Sequence, residues 1–198
     1  LFPCTTLFRS GMRQELSFII DRQQVVNIAY EDTSFPSKSI FVEYPAMQPY
    51  INAIRDLWID PQGNVSTGQQ LIEAQGWQRG SNGFYQKWGK ELSLNIQTHA
   101  AAIELRRVGD VVVEQLRAAG ILATNRAITG ATWSENKAFG KFEAVVDWDA
   151  CGSVNEPWLS MNRYTNRFRS EEHTSELQTL VNIVCRTLLE KQKIKYYV

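Results

Sequence analysis

The residues whose types and spacing could do chemistry lie in one stretch, residues 142–158, which reads FEAVVDWDACGSVNEPW. An apolar run in this stretch ends at Asp147, Trp148 and Asp149. The two carboxylates are two residues apart, so strand alternation would point them to the same side. Their oxygens would there suit Mg²⁺ or Mn²⁺. The indole between them offers a stacked ligand an apolar surface and one N–H donor.

A turn of small residues, 150–153, follows the aspartates, and residues 155–157, Asn-Glu-Pro, open a predicted helix. A strand, a polar turn and a helix start mark where open α/β sheets place their ligands, beyond the carboxyl ends of strands. Plainer interpretations stay open for three of these residues. Trp148 would also suit a core, Cys151 would suit a small buried gap, and Glu156 would favour a helix start.

The preceding elements supply a frame for this stretch. Apolar residues at helical spacing predict helices over residues 13–30, 50–58, 66–75, 103–119 and 132–139. Gly76 and Gly120 stand where helix ends need a glycine. Leu92, Leu94 and Ile96 alternate with polar residues, and the sequence predicts a hairpin of 84–88 with 91–98. Further strands are predicted over 121–128 and 143–148. Residues 31–44 read as an extended loop or a short strand.

The order strand, helix, strand, helix, strand over residues 92–148 predicts an α/β fold with a mainly parallel sheet flanked by helices. Residues 92–98, 121–128 and 143–148 would be neighbouring strands of that sheet. Because the carboxyl ends of parallel strands meet at one edge, we expect His99, Ile128 and Trp148 to lie along the same rim.

Composition excludes several classes of function. The chain has 198 residues, with 21 Lys and Arg against 21 Asp and Glu, so its formal net charge is zero. No basic stripe favours nucleic acid as a partner. No run of residues is apolar enough to predict a membrane span. The length suits one α/β domain or a piece of a larger protein.

The two ends of the chain differ in character from its middle. Residues 1–10, LFPCTTLFRS, resemble the translation of a sequencing adapter, and RSEEHTSELQ, which starts at Arg169, resembles that of the opposite adapter. We therefore expect residues 1–10 and 169–198 to be non-native segments and residues 11–168 to be native protein. That native part holds one cysteine, Cys151, and one histidine, His99, too few for a zinc cluster or an intrachain disulfide.

The native part resembles a known family. The run ELSFIIDRQQVVNIAY is similar to the helix that begins the second large lobe of bacterial extracellular solute-binding proteins of family 5, the peptide-type group. LSLNIQTH, RRVGDVVVEQLRAAGI and FEAVVDWDACGSVNEPW follow in the order and spacing of the same family. The resemblance covers nearly all of residues 11–168.

The resemblance implies a partial second lobe of a two-lobed, type II periplasmic-binding-protein-like fold. It implies capture of a peptide or other oligomeric solute between two lobes and delivery to the permease subunits of an ABC transporter, with no catalysis. It also implies a periplasmic or an extracellular, lipid-anchored location. The first lobe would be missing from this chain, so we expect weak or absent solute binding by the chain alone.

Five residues sit on the segment that lines the cleft in this family: Trp148, Asp149, Cys151, Asn155 and Glu156. Peptide-binding members commonly have a carboxylate just before Asn-Glu-Pro that holds the amino terminus of the ligand. Residues 151–154 of this chain are Cys-Gly-Ser-Val and supply none, so only Asp149 or Asp147 could take that role from further back. This departure keeps oligosaccharides and opines open beside peptides.

An enzyme is the main alternative on the same residues. In nucleotide-sugar glycosyltransferases, an Asp-x-Asp pair after an apolar strand holds a divalent cation that bridges the phosphates of the donor. Asp147 and Asp149 fit that spacing, and metal binding would require their carboxylates to converge. However, neither a Gly-x-Gly-x-x-Gly pattern nor a phosphate-binding loop is present. The preferred hypothesis is therefore a solute-binding protein, with no catalytic, cofactor-binding or metal-binding residue.

Overall fold

The computed structural model describes residues 10–36, 38, 43–58 and 60–147. The chain divides into two compact units. The first contains the described residues 10–36 and 60–147, and the second contains residues 38 and 43–58. Within these ranges, no helix combines the length and the apolar character that crossing a membrane requires.

The secondary structure alternates helices with short strands. The helices are α1 (Ser10–Ile19), α2 (Arg22–Ala29), α3 (Gln48–Ala53), α4 (Val65–Ala74), α5 (Ile103–Ala118) and α6 (Gly130–Ala138). The strands are β1 (Gln78–Arg79), β2 (Tyr85–Lys87), β3 (Lys90–Glu91), β4 (Ser93–His99), β5 (Leu122–Ile128) and β6 (Ala144–Val145). Single 3₁₀ turns cover Pro45–Met47 and Arg55–Leu57.

A parallel sheet with the order β5-β4-β6 organises the first unit. Ser93 to His99 pair in register with Leu122 to Ile128, and Ile96 and Gln97 pair with Ala144 and Val145 on the other side of β4. All pairs are parallel, which confirms the predicted α/β class and the predicted neighbouring strands.

Helices cover both faces of this sheet. On the face of Thr98, α5 lies so close that a Cβ on Gly109 would stand 2.7 Å from Thr98 Cγ2. On the opposite face, Asn136 of α6 donates a hydrogen bond of 2.9 Å to the side chain of Gln97. Because alternate residues of β4 point to opposite faces, α5 and α6 contact different side chains of the same strand.

The main core lies on the α5 face and joins the sheet to α1, α4 and the antiparallel strands. Its buried members are Met12, Ile19, Ile72, Tyr85, Leu92, Leu94, Ile96, Leu116, Ala119, Ile121 and Ala123. The prediction that glycines follow the ends of two helices is confirmed, with φ of 85° at Gly76 after α4 and 100° at Gly120 after α5. Only glycine adopts these angles without steric cost, so both helices end there.

The prediction of one helix over residues 13–30 is wrong, because the chain breaks into α1 and α2 at Ile20 and Asp21. The Asp21 carboxylate caps α2 by accepting a hydrogen bond of 2.9 Å from the backbone N–H of Gln24. Gln115 of α5 also bonds both backbone groups of Asp21, at 3.1 Å and 3.0 Å. These contacts satisfy the polar groups that the break exposes, so the break costs little.

The predicted hairpin of residues 84–88 with 91–98 is present, but its turn lies one residue earlier than predicted and its second strand is shorter. β2 pairs with β3 around the turn, and β1, which was not predicted, pairs with β2 on its other side. β4 leaves this antiparallel sheet for the parallel one. Leu92 marks the change: its N–H donates to Tyr85 O at 2.7 Å and its C=O accepts from Leu122 N at 2.9 Å.

The second unit has its own small cluster of buried residues, Met47, Ile51 and Ile54. Trp58 closes it by donating from its indole N–H to Ile51 O at 3.2 Å. The helix predicted over residues 50–58 is therefore shorter, since α3 ends at Ala53 and a 3₁₀ turn follows. Among the described residues of 31–44, no strand forms.

Glu15 is a buried acid whose negative charge opposes folding. Its effect on stability should therefore depend on pH. It is only 3% exposed, and its Oε2 has no hydrogen-bond partner among the described residues. Burial raises the pKa of this carboxyl, and a hydrogen bond from Gln75 lowers it to a smaller extent. Since the folded state holds the proton more tightly than the unfolded state, this residue lowers stability as the pH rises past its ordinary pKa.

We expect Glu15→Gln to raise the free energy of unfolding by about 1 kcal/mol at pH 8 and to have little effect at pH 4, where the acid is protonated. Urea unfolding at both pH values measures this. The exposed Glu114 on α5 supplies the control, since Glu114→Gln should change both values equally. A Glu15→Gln effect that is the same at both pH values would contradict the assignment.

Candidate functional site

The carboxyl edge of the parallel sheet is where a ligand site is expected. β4 is the first strand of the parallel sheet along the chain and lies at its centre, so the connection through α6 passes from β5 across β4 to β6. The connection that leaves β4 runs to β5 and the connection that leaves β5 runs back across β4 to β6, so the strand order reverses between β4 and β6. Open α/β sheets place their ligands beyond the carboxyl ends of the strands at such a reversal. That edge lies at His99 and at residues 146–147, and the chain continues from it into residue 148.

Four side chains meet at this edge. The His99 and Trp133 rings make an edge-on contact, with centroids 5.4 Å apart and planes at 78°. Lys137 Nζ lies 3.4 Å from the Trp133 ring centroid and 2.7 Å from Asp147 Oδ2. The Lys137 and Asp147 side chains are 19% and 27% exposed, so their ion pair is largely shielded from water. We call these four residues the edge cluster.

Local structure explains why the cluster forms. The Thr129 side chain caps α6 by accepting from Thr132 N. Gly130, the first residue of α6, allows His99 to approach, because a Cβ there would lie 2.6 Å from His99 Nε2. Trp133 is buried and Lys137 stands one turn later, so both face the sheet. Ala100 N donates to Ile128 O at 2.8 Å and holds the ends of β4 and β5 together.

The Trp133 ring is only 5% exposed, so the cluster packs a buried ring against a shielded ion pair and fixes the carboxyl edge of the sheet. Asp147 already accepts from Lys137 at 2.7 Å, so its carboxylate is committed to a cation of the protein. Within the described ranges, no group of three His, Cys, Asp or Glu side chains is placed to hold a metal ion.

The five predicted ligand contacts, Trp148, Asp149, Cys151, Asn155 and Glu156, lie outside the described residues. The predicted meeting of strand ends at one rim is present for His99, Ile128 and residue 147. Sequence reasoning did not single out Trp133 or Lys137. Their spacing of four residues on a predicted helix was the available signal.

The sequence of the chain matches the model of a protein family over residues 6–171, namely the bacterial extracellular solute-binding proteins, family 5 Middle. The chain belongs to this family. The family is one of solute-binding proteins, which agrees with the resemblance of its motifs. No curated protein matches the chain.

Solved structures share the fold at low sequence identity. An oligopeptide ABC transporter periplasmic oligopeptide-binding protein from Thermotoga maritima, with bound mannohexaose, has a TM-score of 0.74, 15% identity, and coverage of 91% of this chain and 36% of its own. The oligopeptide-binding protein AppA from Bacillus subtilis, in complex with a nonapeptide, has a TM-score of 0.59, 18% identity, and coverage of 89% and 40%.

The periplasmic binding protein MelB from Agrobacterium fabrum, in complex with stachyose, has a TM-score of 0.65, 11% identity, and coverage of 89% of this chain and 28% of its own. This chain thus spans well under half the length of these structures. The likeness confirms a type II periplasmic-binding-protein fold, of which the chain forms part.

The shielded ion pair of the edge cluster generates a prediction. In a double-mutant cycle of Lys137→Ala and Asp147→Asn, we expect a coupling energy of about 1 kcal/mol in unfolding experiments, because partial burial strengthens the pair. Lys141 and Glu135 are the matched control, with a similar distance of 2.8 Å but side chains that are both 55% exposed. Their coupling should be clearly smaller. Equal coupling in both pairs would show that the shielding at the edge has no energetic effect.

Proposed function

We propose that this chain is part of the substrate-binding component of an ABC transporter, which captures a peptide or oligosaccharide-like solute between two lobes for import. One observation carries the proposal: the order of the parallel strands reverses between β4 and β6. In the sequence, residues 148–156 follow directly after the described end of this part of the chain, at residue 147. In a family of solute-binding proteins, that is the expected position of a ligand-contacting segment.

In this proposal, five residues of that segment contact the solute: Trp148, Asp149, Cys151, Asn155 and Glu156. Trp148 stacks on a peptide bond or a sugar ring and donates its indole N–H. Asp149 receives the amino terminus of a peptide or the hydroxyl groups of a sugar. Asp147 serves a different purpose, since its ion pair with Lys137 fixes the exit of β6 just before the contact segment.

Both classes of solute are supported by structures that share the fold. AppA is in complex with a nonapeptide, the Thermotoga maritima protein with mannohexaose, and MelB with stachyose. The cleft residues of this chain lack a carboxylate immediately before Asn-Glu-Pro, so we keep peptides and oligosaccharides as alternative ligands. Shape and charge within the cleft would set the choice.

We propose no catalytic role. The Asp-x-Asp hypothesis needs both carboxylates for one cation, and Asp147 is already paired with Lys137 at 2.7 Å. The family also consists of solute-binding proteins. The parent protein would work in the periplasm or anchored by a lipid outside the membrane, with the permease subunits as its partners.

The proposed capture between two lobes leads to a test at two levels. Long-read sequencing of the source DNA would recover the flanking reading frame, and the encoded protein and this chain can then be titrated calorimetrically with a mixed peptide library and with mannohexaose. We expect binding by the longer protein and little or none by the chain alone, because one lobe buries only part of a ligand.

In the longer protein, Trp148→Ala should weaken solute binding by about tenfold, the effect of losing one stacking contact. Phe35→Ala, which removes an exposed aromatic ring elsewhere in the chain, is the control and should leave the affinity unchanged. Full binding in the Trp148 variant would overturn its assignment. An uninterrupted frame with no second lobe would overturn the two-lobe proposal.

A further inference from the structure

The tight turn between β2 and β3 carries a tryptophan whose backbone conformation is unfavourable. Lys87 of β2 pairs with Lys90 of β3, so Trp88 and Gly89 form a two-residue turn. Both have a positive φ, 52° at Trp88 and 72° at Gly89. Such turns favour Asn-Gly or Asp-Gly, because a bulky side chain at positive φ is crowded by its own backbone.

The same side chain is also exposed. Trp88 exposes 88% of its surface, more than any other large apolar side chain among the described residues. Lys87 Nζ lies 4.5 Å from the ring centroid and covers part of one face. Trp88 lowers the stability of the fold in two ways, because its backbone has an unfavourable φ and its apolar ring is exposed to water. Folding alone would favour Asn or Asp at this position, so the tryptophan indicates a function.

A shallow depression of about 240 Å³ adjoins the ring. Its lining consists of polar side chains and glycines of β1, β2 and their turns: Gln78, Arg79, Gly80, Gln86, Lys87, Trp88 and Gly89. Gln78 and Gln86 are paired in the sheet, so their amides are neighbours on one face. Gly80 makes room for the Gln86 amide, since a Cβ there would stand 2.6 Å from Gln86 Nε2.

The two cations of this lining already have partners. Arg79 donates to Ala119 O at 2.9 Å, and Lys87 donates to Gln75 O at 2.5 Å. These hydrogen bonds hold both cations against neutral backbone carbonyls, and each cation keeps its positive charge. The other groups of the lining are an aromatic platform and two amides that can donate and accept hydrogen bonds, of which Gln86 already donates weakly to Asn82 Oδ1 at 3.4 Å. A sugar ring, with an apolar C–H face and a hydroxyl edge, has the complementary chemistry.

We propose that this depression is a binding subsite for a carbohydrate, in which one pyranose ring stacks on Trp88 and its hydroxyl groups bond to Gln78 and Gln86. The volume is sufficient for one sugar unit, and the open shape suits a unit within a longer chain. A site this shallow binds with millimolar affinity, because most of the ligand remains in water.

This subsite is separate from the carboxyl edge of the parallel sheet. The turn between β2 and β3 precedes β4, so the subsite lies towards the amino end of that strand, whereas His99 ends it. Seven residues of strand span roughly 20 Å between the two places. The proposal therefore does not rest on solute capture at the edge, and the failure of one leaves the other standing.

The test follows the Trp88 indole N–H signal by ¹H–¹⁵N NMR while the chain is titrated with maltohexaose and, separately, with cellohexaose. We expect a saturable shift of this signal with at least one of the two sugars. Trp88→Asn should weaken binding by about tenfold or more, while Trp88→Tyr, which keeps an aromatic platform, should stay within about threefold of the parent.

Trp88→Asn also controls for folding, because Asn suits the turn and should raise the unfolding midpoint. Phe139→Asn is the matched surface control: Phe139 is 66% exposed and has Lys141 Nζ 5.3 Å from its ring centroid. It should leave sugar binding unchanged. The proposal is overturned by an absent or linear response to both sugars, by full binding in Trp88→Asn, or by a shift caused only by inorganic phosphate or phosphatidylglycerol vesicles.

Discussion

The position of β4 between β5 and β6 is the constraint on which the first unit depends. A strand in the centre of a parallel sheet must satisfy its backbone on both sides and bury both faces. β4 does so with β5 along its whole length and with β6 near its middle. Its burial alternates strictly, with Leu94, Ile96 and Thr98 on the more deeply buried face. The core under α5, the contacts of α6 and the carboxyl edge all follow from this placement.

A polar network then fixes α5 against that strand. Thr98 is fully buried and donates to Asn125 Oδ1 at 2.9 Å, while Asn125 donates to Asp110 Oδ1 at 2.7 Å and to Arg106 O at 3.3 Å. Gly109 permits this close approach, because a side chain there would collide with Thr98 and Asn125. A buried hydroxyl is stable only when it is bonded. These hydrogen bonds and the glycine at position 109 together set the distance between α5 and the sheet.

Much of this architecture is legible in the sequence, and the exceptions have physical reasons. Alternation at Leu92, Leu94 and Ile96 and the order strand, helix, strand, helix, strand were sufficient to predict the parallel sheet. The break at Asp21 was missed because apolar spacing continues through it, while its stabilising partner, Gln115, is distant in sequence. β1 was missed since Gln78 and Arg79 are both polar and exposed, and only backbone pairing defines them.

Similarly, the pair of Lys137 and Asp147 depends on how α6 packs. The predicted contacts at residues 148–156 stay predictions.

The central strand of the parallel sheet is also the first of its three strands to be synthesised, and this has a consequence for how the protein is made. During synthesis β4 leaves the ribosome with two unpaired edges, and β5 follows only after the whole of α5. β6 arrives later still, so one edge of an apolar strand stays open through the synthesis of α6. Long-range parallel pairing is slow to form, and open edges invite pairing with other chains. Among the described strands of this sheet, β4 is thus the one whose edges wait longest for their partners, and its exposed edge is where pairing with another chain is expected.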